Sequence, residues 1–364
     1  MAMESLFGIL DVFWVGRLGA GAVATVGVTE AMLTLVFAVA LGLSLSTTAT
    51  VARRIGEKDP EAAAVTAVQA VLLGVLVAVP TGLVGILWPR ELLSLMGLPP
   101  AVVEAGWTYT AWMVAGNGTI LLLFLINAIF RGAGDASVAM RSLWLANGVN
   151  IVLDPCLVFG LGPFPELGIT GAAIGTTVGR AVGVVYQLWS LGRNGRVAVR
   201  RRHLRLDAGV LLRLLRVSVG GILQFLIATA SWLGLVRILT PFGPAALAGY
   251  TIAIRIIVVL ILPSWGLCNA AATLVGQNLG AQKPERAERS VWLTGAYNMG
   301  FLALVGLVFI FTAEPLVGIF TDDPQVRALG ADCLRIISYG YAAYAWGQVM
   351  VQAFNGAGDT VTPT

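Results

Sequence analysis

The segment Phe130-Arg131-Gly132-Ala133-Gly134-Asp135 returns 224 residues later as Phe354-Asn355-Gly356-Ala357-Gly358-Asp359. The same spacing, without a gap, carries Gly19 onto Gly243, Gly42-Leu43 onto Gly266-Leu267 and Gly56 onto Gly280. It also carries Pro60-Glu61 onto Pro284-Glu285, Gly82-Leu83-Val84 onto Gly306-Leu307-Val308, and Pro100 onto Pro324. One matching hexapeptide can arise by chance, but a register held from Gly19 to Asp359 marks two copies of one unit. In a very apolar chain, such an internal repeat points to a transporter.

The chain is 57% hydrophobic and 12% charged, against roughly 45–50% and about 25% for an ordinary soluble domain. Its 44 glycines in 364 residues suit transmembrane helices that approach closely. The apolar runs 61–87, 217–239 and 290–311 are each long enough to cross a bilayer. A soluble core cannot absorb so many such stretches, so the expected fold is an all-α polytopic membrane protein, with no signal peptide expected ahead of its first helix. Cys156, Cys268 and Cys333 lie in apolar contexts without CxxC spacing and read as packed free thiols. His203 with Arg200, Arg201, Arg202 and Arg205 suggests a nucleic-acid patch if read alone. Beside membrane spans it reads instead as a cytoplasmic loop, because Lys and Arg collect on that side. The lipid bilayer, not nucleic acid, is the expected partner.

Turn and charge signals divide the chain into ten predicted helices, near 4–16, 21–52, 62–88, 101–131, 137–160, 168–192, 217–239, 245–278, 287–313 and 325–354. Loops after the even-numbered helices hold Arg53, Arg54, Lys58, Arg131, Arg141, the basic run from Arg193 to Arg216, Lys283, Arg286 and Arg289, whereas the odd-numbered loops hold Arg17 and Arg90. The even loops and the N-terminus are therefore expected in the cytoplasm, with the protein in the inner membrane. The repeat begins with the first helix and again with the seventh, so its unit is six helices. An even number returns the chain to its starting side, and the copies are parallel, related by an axis along the membrane normal. The expected organisation is an N-terminal lobe at 1–192, a basic linker at 193–216 and a C-terminal lobe at 217–364. Val210, Leu211, Leu214 and Leu215 suggest an interfacial helix in that linker. By this count the second lobe is cut short after its fourth helix and the first helix is itself short, as in a fragment of a twelve-helix protein.

Intramembrane carboxylates cost about 2.5–3.5 kcal/mol or more near the bilayer centre, so each needs a reason. The first lobe carries Asp11, Glu30 and Asp154. Asn150 lies four residues before Asp154, on the same helical face. Pro155 frees a backbone carbonyl one turn back, which can add an oxygen ligand or bend the helix. Such a cluster suits a proton or a small hard cation such as Na⁺. The plainer alternatives are an ion pair of Asp11 with Arg17 and a helix–helix hydrogen bond for Glu30. The seventh and eighth predicted helices have no acidic residue in their apolar interiors and offer Gln224, Thr229, Ser231, Asn269 and Thr273 instead. Coupling chemistry is therefore expected in the first lobe, with Glu30, Gln224 and Asn269 as candidates for a substrate cleft. The two Gly-Ala-Gly-Asp segments lack the Lys-Ser/Thr and the preceding strand of a phosphate loop. They read as tight turns in which Asp135 or Asp359 caps the next helix.

Asp11-Val12-Phe13-Trp14-Val15-Gly16-Arg17-Leu18-Gly19 and Val275-Gly276-Gln277-Asn278-Leu279-Gly280-Ala281, with Phe130–Asp135, Phe354–Asp359 and Asn150–Pro155, resemble the multidrug and toxic compound extrusion (MATE) family. The resemblance spans essentially the whole chain. It implies two parallel six-helix lobes facing each other in a V, exporting cationic, amphipathic organic compounds by antiport against H⁺ or Na⁺. It implies no enzyme activity and no cofactor beyond that ion, and the transporter is expected to act as a monomer. The first-lobe Asp, Asn and Asp match the coupling site of the DinF-like prokaryotic branch, which carries over to Asp11, Asn150 and Asp154. A threonine of the sixth helix also belongs to that site, and Thr176 and Thr177 are both candidates. Other prokaryotic branches place a carboxylate in the seventh helix, where this chain has Gln224. A lipid-linked oligosaccharide flippase of the same superfamily would call for an Arg-rich cleft, whereas most Arg here lies in loops. A non-transporting remnant is the other alternative. A membrane-embedded metalloenzyme is disfavoured, since there is no HExxH and the one His lies in the linker.

Overall fold

The computed structural model describes residues 13–193 and 196–364. Among them every regular element is helical. After a helical end at 13–16 come α1 (Ala20–Gly56), α2 (Pro60–Leu87), α3 (Pro89–Leu95), α4 (Pro100–Ala115), α5 (Asn117–Gly132), α6 (Ala136–Phe159) and α7 (Ile169–Arg193). A short 3₁₀ turn (Arg201–His203) leads to α8 (Ala208–Leu239), and a second (Thr240–Phe242) to α9 (Pro244–Gly280). The described chain closes with α10 (Pro284–Gly318), α11 (Pro324–Tyr339) and α12 (Tyr341–Ala357). Eight helical stretches among the described residues are long and apolar enough to cross a bilayer.

The sequence repeat is a structural repeat. α1 and α9 are both 37 residues long, and each follows a glycine. Pro60 and Pro284 open α2 and α10, where a missing backbone N–H costs nothing. Lys58 and Gln282, 224 residues apart, share a φ of 58° in the turns between them. The predicted helices at 101–131 and 325–354 are each two helices, broken at Gly116 and Gly340, again one repeat apart. α3 was not expected as a separate helix. The predicted first helix falls mostly outside the described residues.

Each lobe packs its own apolar core. One cluster gathers residues of α1, α2, α4, α5, α6 and α7, and others gather residues of α9 to α12. Val210, Leu211 and Leu214, expected in a separate interfacial helix, lie instead in the opening turns of α8. Asp207 caps that helix by accepting from the amides of Gly209 and Val210. Leu214 is buried in the first lobe's core, and its carbonyl accepts from Ser46 Oγ at 2.8 Å. Burying that apolar face against protein displaces the surface-lying arrangement. The basic connection is itself strapped to the first lobe. His203, 4% exposed, meets Glu61 Oε2 at 2.7 Å, and Arg202 pairs with the same carboxylate. Gln69 Nε2 donates to the carbonyl of Arg205 at 2.6 Å. The capping expected of Asp135 and Asp359 is not seen: Asp135 stands at the N-cap of α6 without a side-chain bond to a helix amide and accepts from the Ser137 hydroxyl, and Asp359 accepts from the amides of Val361 and Thr362 in a turn that no described helix follows.

Candidate functional site

Asp154 lies inside the first lobe, 2% exposed, where α6 and α7 pack tightly. The packing is close because α7 presents glycines there. A methyl group added at Gly175 would overlap Asp154 Oδ1, and one at Gly179 would stand 2.6 Å from the carbonyl of Ala146. Asn150, 3% exposed and one turn earlier on α6, donates from Nδ2 to Asp154 Oδ1 at 2.8 Å and to Thr176 Oγ1 at 3.1 Å. Of the two threonine candidates, Thr176 is the one brought to Asn150. Thr177 packs instead against the break at Gly116. Asn150 Oδ1 is buried, and among the described residues no donor reaches it. Carboxylate, amide and hydroxyl oxygens converge in a place where charge is expensive to keep. These are donors that suit a proton or a hard cation.

Asp11 lies outside the described residues. Trp14, three residues after it, packs edge-on against Phe159 at 5.8 Å, five residues past Asp154 on α6. A second buried polar group, not anticipated from the sequence, joins α5, α6 and α7. Gln187 Nε2 donates to Asn127 Oδ1 at 2.7 Å and to Ser142 Oγ at 3.0 Å. Three amides or hydroxyls within apolar helices were the available signal.

Between the lobes lies a cavity of about 620 Å³, within the range of small-molecule sites. Its walls are built from the repeat. Leu41 and Trp265, Ser44 and Cys268, Leu45 and Asn269, Thr48 and Ala272, Phe124 and Gln348, Asn127 and Val351, and Arg131 and Asn355 all line it, each pair 224 residues apart. Of the three residues proposed for a substrate cleft, Gln224 and Asn269 line this cavity. Gln224 and Asn355 form a reciprocal amide pair, with Nε2 to Oδ1 at 3.0 Å and Nδ2 to Oε1 at 3.2 Å. Glu30 is not brought to this cavity. The residues of α1 that line it begin at Leu41, about 16 Å further along the helix, and Glu30 has Arg180 as its charged neighbour. Arg131, counted with the loops in sequence, ends α5 and lines the cleft.

The cavity is closed at the end where α1, α5 and α7 finish in arginines. A methyl at Gly56 would overlap the carbonyl oxygen of Gln277, and a methyl at Gly280 would overlap that of Arg53. Arg53 and Gln277 are themselves one repeat apart, so the two lobes clasp each other through the same contact made twice. Thr273 Oγ1 donates to the carbonyl of Arg131 at 3.2 Å and Gln277 Nε2 to that of Gly132 at 3.0 Å. Arg196 of the connection donates to the carbonyls of Ala133 and Gly134.

Known proteins share this arrangement. A probable multidrug resistance protein NorM of Thermotoga maritima is 27% identical over 99% of this chain and 78% of its own length. An FAD transporter of Shewanella oneidensis is 27% identical over 88% of this chain and 71% of its own. A solved structure described as the outward-facing conformation of a multidrug resistance MATE family transporter of the MOP superfamily superimposes with a TM-score of 0.91 at 26% identity, covering all of this chain and 81% of that one. The MatE family model matches residues 1–156 and 221–364, and the chain belongs to the MATE family of multi-pass membrane transporters.

Proposed function

We propose that this protein is a secondary active exporter of small organic compounds, driven by H⁺ or Na⁺ bound in the first lobe and working by alternating access through the inter-lobe cleft. The observation that carries the reading is the separation of two sites. Asp154, Asn150 and Thr176 are sealed within one lobe, whereas the cavity large enough for a drug-sized molecule lies between the lobes. An ion and a cargo that never touch can exchange free energy only through a change of shape, which is antiport by linkage. Asp11 completes the coupling site, in keeping with the position of Trp14 beside Phe159. The arginine-rich end is the cytoplasmic face of the inner membrane. Residues 1–192 and 217–364 act as the two lobes, joined by 193–216, and the clasped state is the one closed to the cytoplasm.

In this cycle a proton or Na⁺ entering from outside discharges Asp154. Loss of that buried charge relaxes the α6–α7 packing and releases cargo outward. Departure of the ion toward the cytoplasm restores the carboxylate and favours the opposite opening. A flippase for pyrophosphate-linked sugars has less support, because Arg131 is the one basic side chain among the described lining. Relatives are named for multidrug resistance and for FAD transport. Family membership therefore leaves the cargo open, and the described lining holds no Asp or Glu side chain to pair a cationic drug.

The test is efflux from proteoliposomes under separately imposed Na⁺ and pH gradients. Asp154→Asn is expected to insert normally and to lose at least about 99% of the gradient-driven rate, as when an interaction worth roughly 3 kcal/mol is removed. A wild-type rate in that variant sinks the assignment, and the gradient that drives the native protein names the ion.

A further inference from the structure

The cleft wall from the second lobe is unusual for its amides. On α12, Tyr344, Gln348 and Gln352 follow one another at four-residue intervals, with Asn355 three further on, so they form one stripe facing the cavity. Gln348 makes no hydrogen bond to any described residue, so its amide is available to a ligand. Gln352 Oε1 and Ser44 Oγ are buried oxygens that no described donor reaches. Phe124 faces this stripe from the first lobe, at the position where the repeat puts Gln348 in the second. No Asp or Glu occurs among the described lining residues.

This chemistry is selective. A carboxamide offers an N–H donor and a C=O acceptor side by side, which matches a ring edge carrying C=O beside N–H, as carboxamides match nucleobase edges. Aromatic walls favour a flat ring. An organic cation entering the same space loses its water, finds no Asp or Glu side chain and shares the cavity with the Arg131 side chain. An anionic group meets no Asp or Glu side chain among the described lining residues.

We propose that the cleft binds planar heteroaromatic compounds of neutral or negative charge with a lactam- or amidine-like edge, and selects against organic cations. The proposal rests on the reading of the cleft as the cargo site. The experiment uses fluorescence titration of the purified protein with three flat dyes: pterin, which is neutral with such an edge, pterin-6-carboxylate, which is anionic, and cationic proflavine. Both pterins are expected to bind at least about tenfold more tightly than proflavine, the loss expected when site amides are left unpaired. Gln348→Leu should weaken both pterins about tenfold and leave proflavine unchanged. Gln348→Glu should reverse the order, gaining proflavine and losing pterin-6-carboxylate.

Failure to bind either pterin overturns the proposal. A native preference for proflavine that Gln348→Glu strengthens overturns the substrate class but keeps the cleft as the cargo site. Binding of all three dyes that is indifferent to both substitutions overturns the cleft reading as well.

Discussion

The two lobes share a backbone and differ in what they show to the space between them. Where backbone meets backbone, the repeat is intact: Gly56 lies on Gln277 and Gly280 on Arg53, the same contact in mirror roles. Where side chains face the cavity, matched positions have parted. Leu45 and Phe124 in the first lobe stand against Asn269 and Gln348 in the second, and Asn127 against Val351. A clasp that closes by direct chain contact tolerates no added atom, so duplication preserved it. Cavity walls can change one side chain at a time without moving a helix. On the proposed alternating-access reading, the duplicated parts form the moving frame and the diverged parts carry the selectivity.

The largest effect should follow from breaking the shared contact. Gly56→Ala and Gly280→Ala each drive a methyl into a carbonyl oxygen of the other lobe. Overpacking of this kind costs about 1–3 kcal/mol, a shift of roughly 5- to 150-fold away from the clasped state. Distances between spin labels at Glu57 and Lys283 should lengthen to a similar degree in both variants. A strong response to one glycine and none to the other would show that the clasp is not reciprocal.

Next in size is a pair of substitutions that asks whether ion coupling belongs to one lobe. Gly175→Ala pushes a methyl onto Asp154 Oδ1 and should weaken the apparent affinity for the driving ion about tenfold, the effect of misplacing a ligand by roughly 1 Å. Asn298, buried in the second lobe, donates to the carbonyl of Ala345 at 3.1 Å. Asn298→Ala should cost about 1–3 kcal/mol of stability and leave ion dependence unaltered. Transport rates against ion concentration separate the two. Equal loss of ion affinity in both would place coupling chemistry in the second lobe too.

How much of this was readable beforehand depended on the physical range of each signal. The repeat, the apolar spans and the Asn150–Asp154 pair are written in spacing along one chain, and spacing survives folding. The role of Gly175 was invisible, because nothing within α7 says that its neighbour across the interface is a carboxylate. Thr176 and Thr177 were indistinguishable for the same reason: adjacent residues on a helix point about 100° apart, and only the partner helix decides which is used. Leu214 was misplaced because a short amphipathic stretch reads alike whether its apolar face meets lipid or a protein core. Arg131 was counted as a loop charge because charge marks the end of a helix without saying what that end faces. Charge alone makes Glu30 a cleft candidate, and sequence does not say that the described cavity begins at Leu41, about 16 Å further along α1.

The smallest effect concerns the seam between α8 and the end of α12. Gln224 and Asn355 pair through both of their amides, and Gln224 Nε2 also donates to the carbonyl of Thr360 at 2.9 Å. Gln224→Leu removes these bonds but leaves Asn355 at the cavity wall, where water can satisfy part of what is lost. The net cost is about 1 kcal/mol, a fall in Tm on the order of 2 °C in detergent. Gln224→Glu keeps the length and an acceptor for Asn355 Nδ2, yet replaces the donor to Thr360 with a charge. It should be the less stable of the two near neutral pH and recover in acid, since protonation returns a donor to the seam. Scanning Tm against pH for both variants separates packing from charge. If Gln224→Glu is as stable as the native protein at neutral pH, the second lobe tolerates a carboxylate at the cleft, and the contrast in chemistry between the lobes is shallower than their residues suggest.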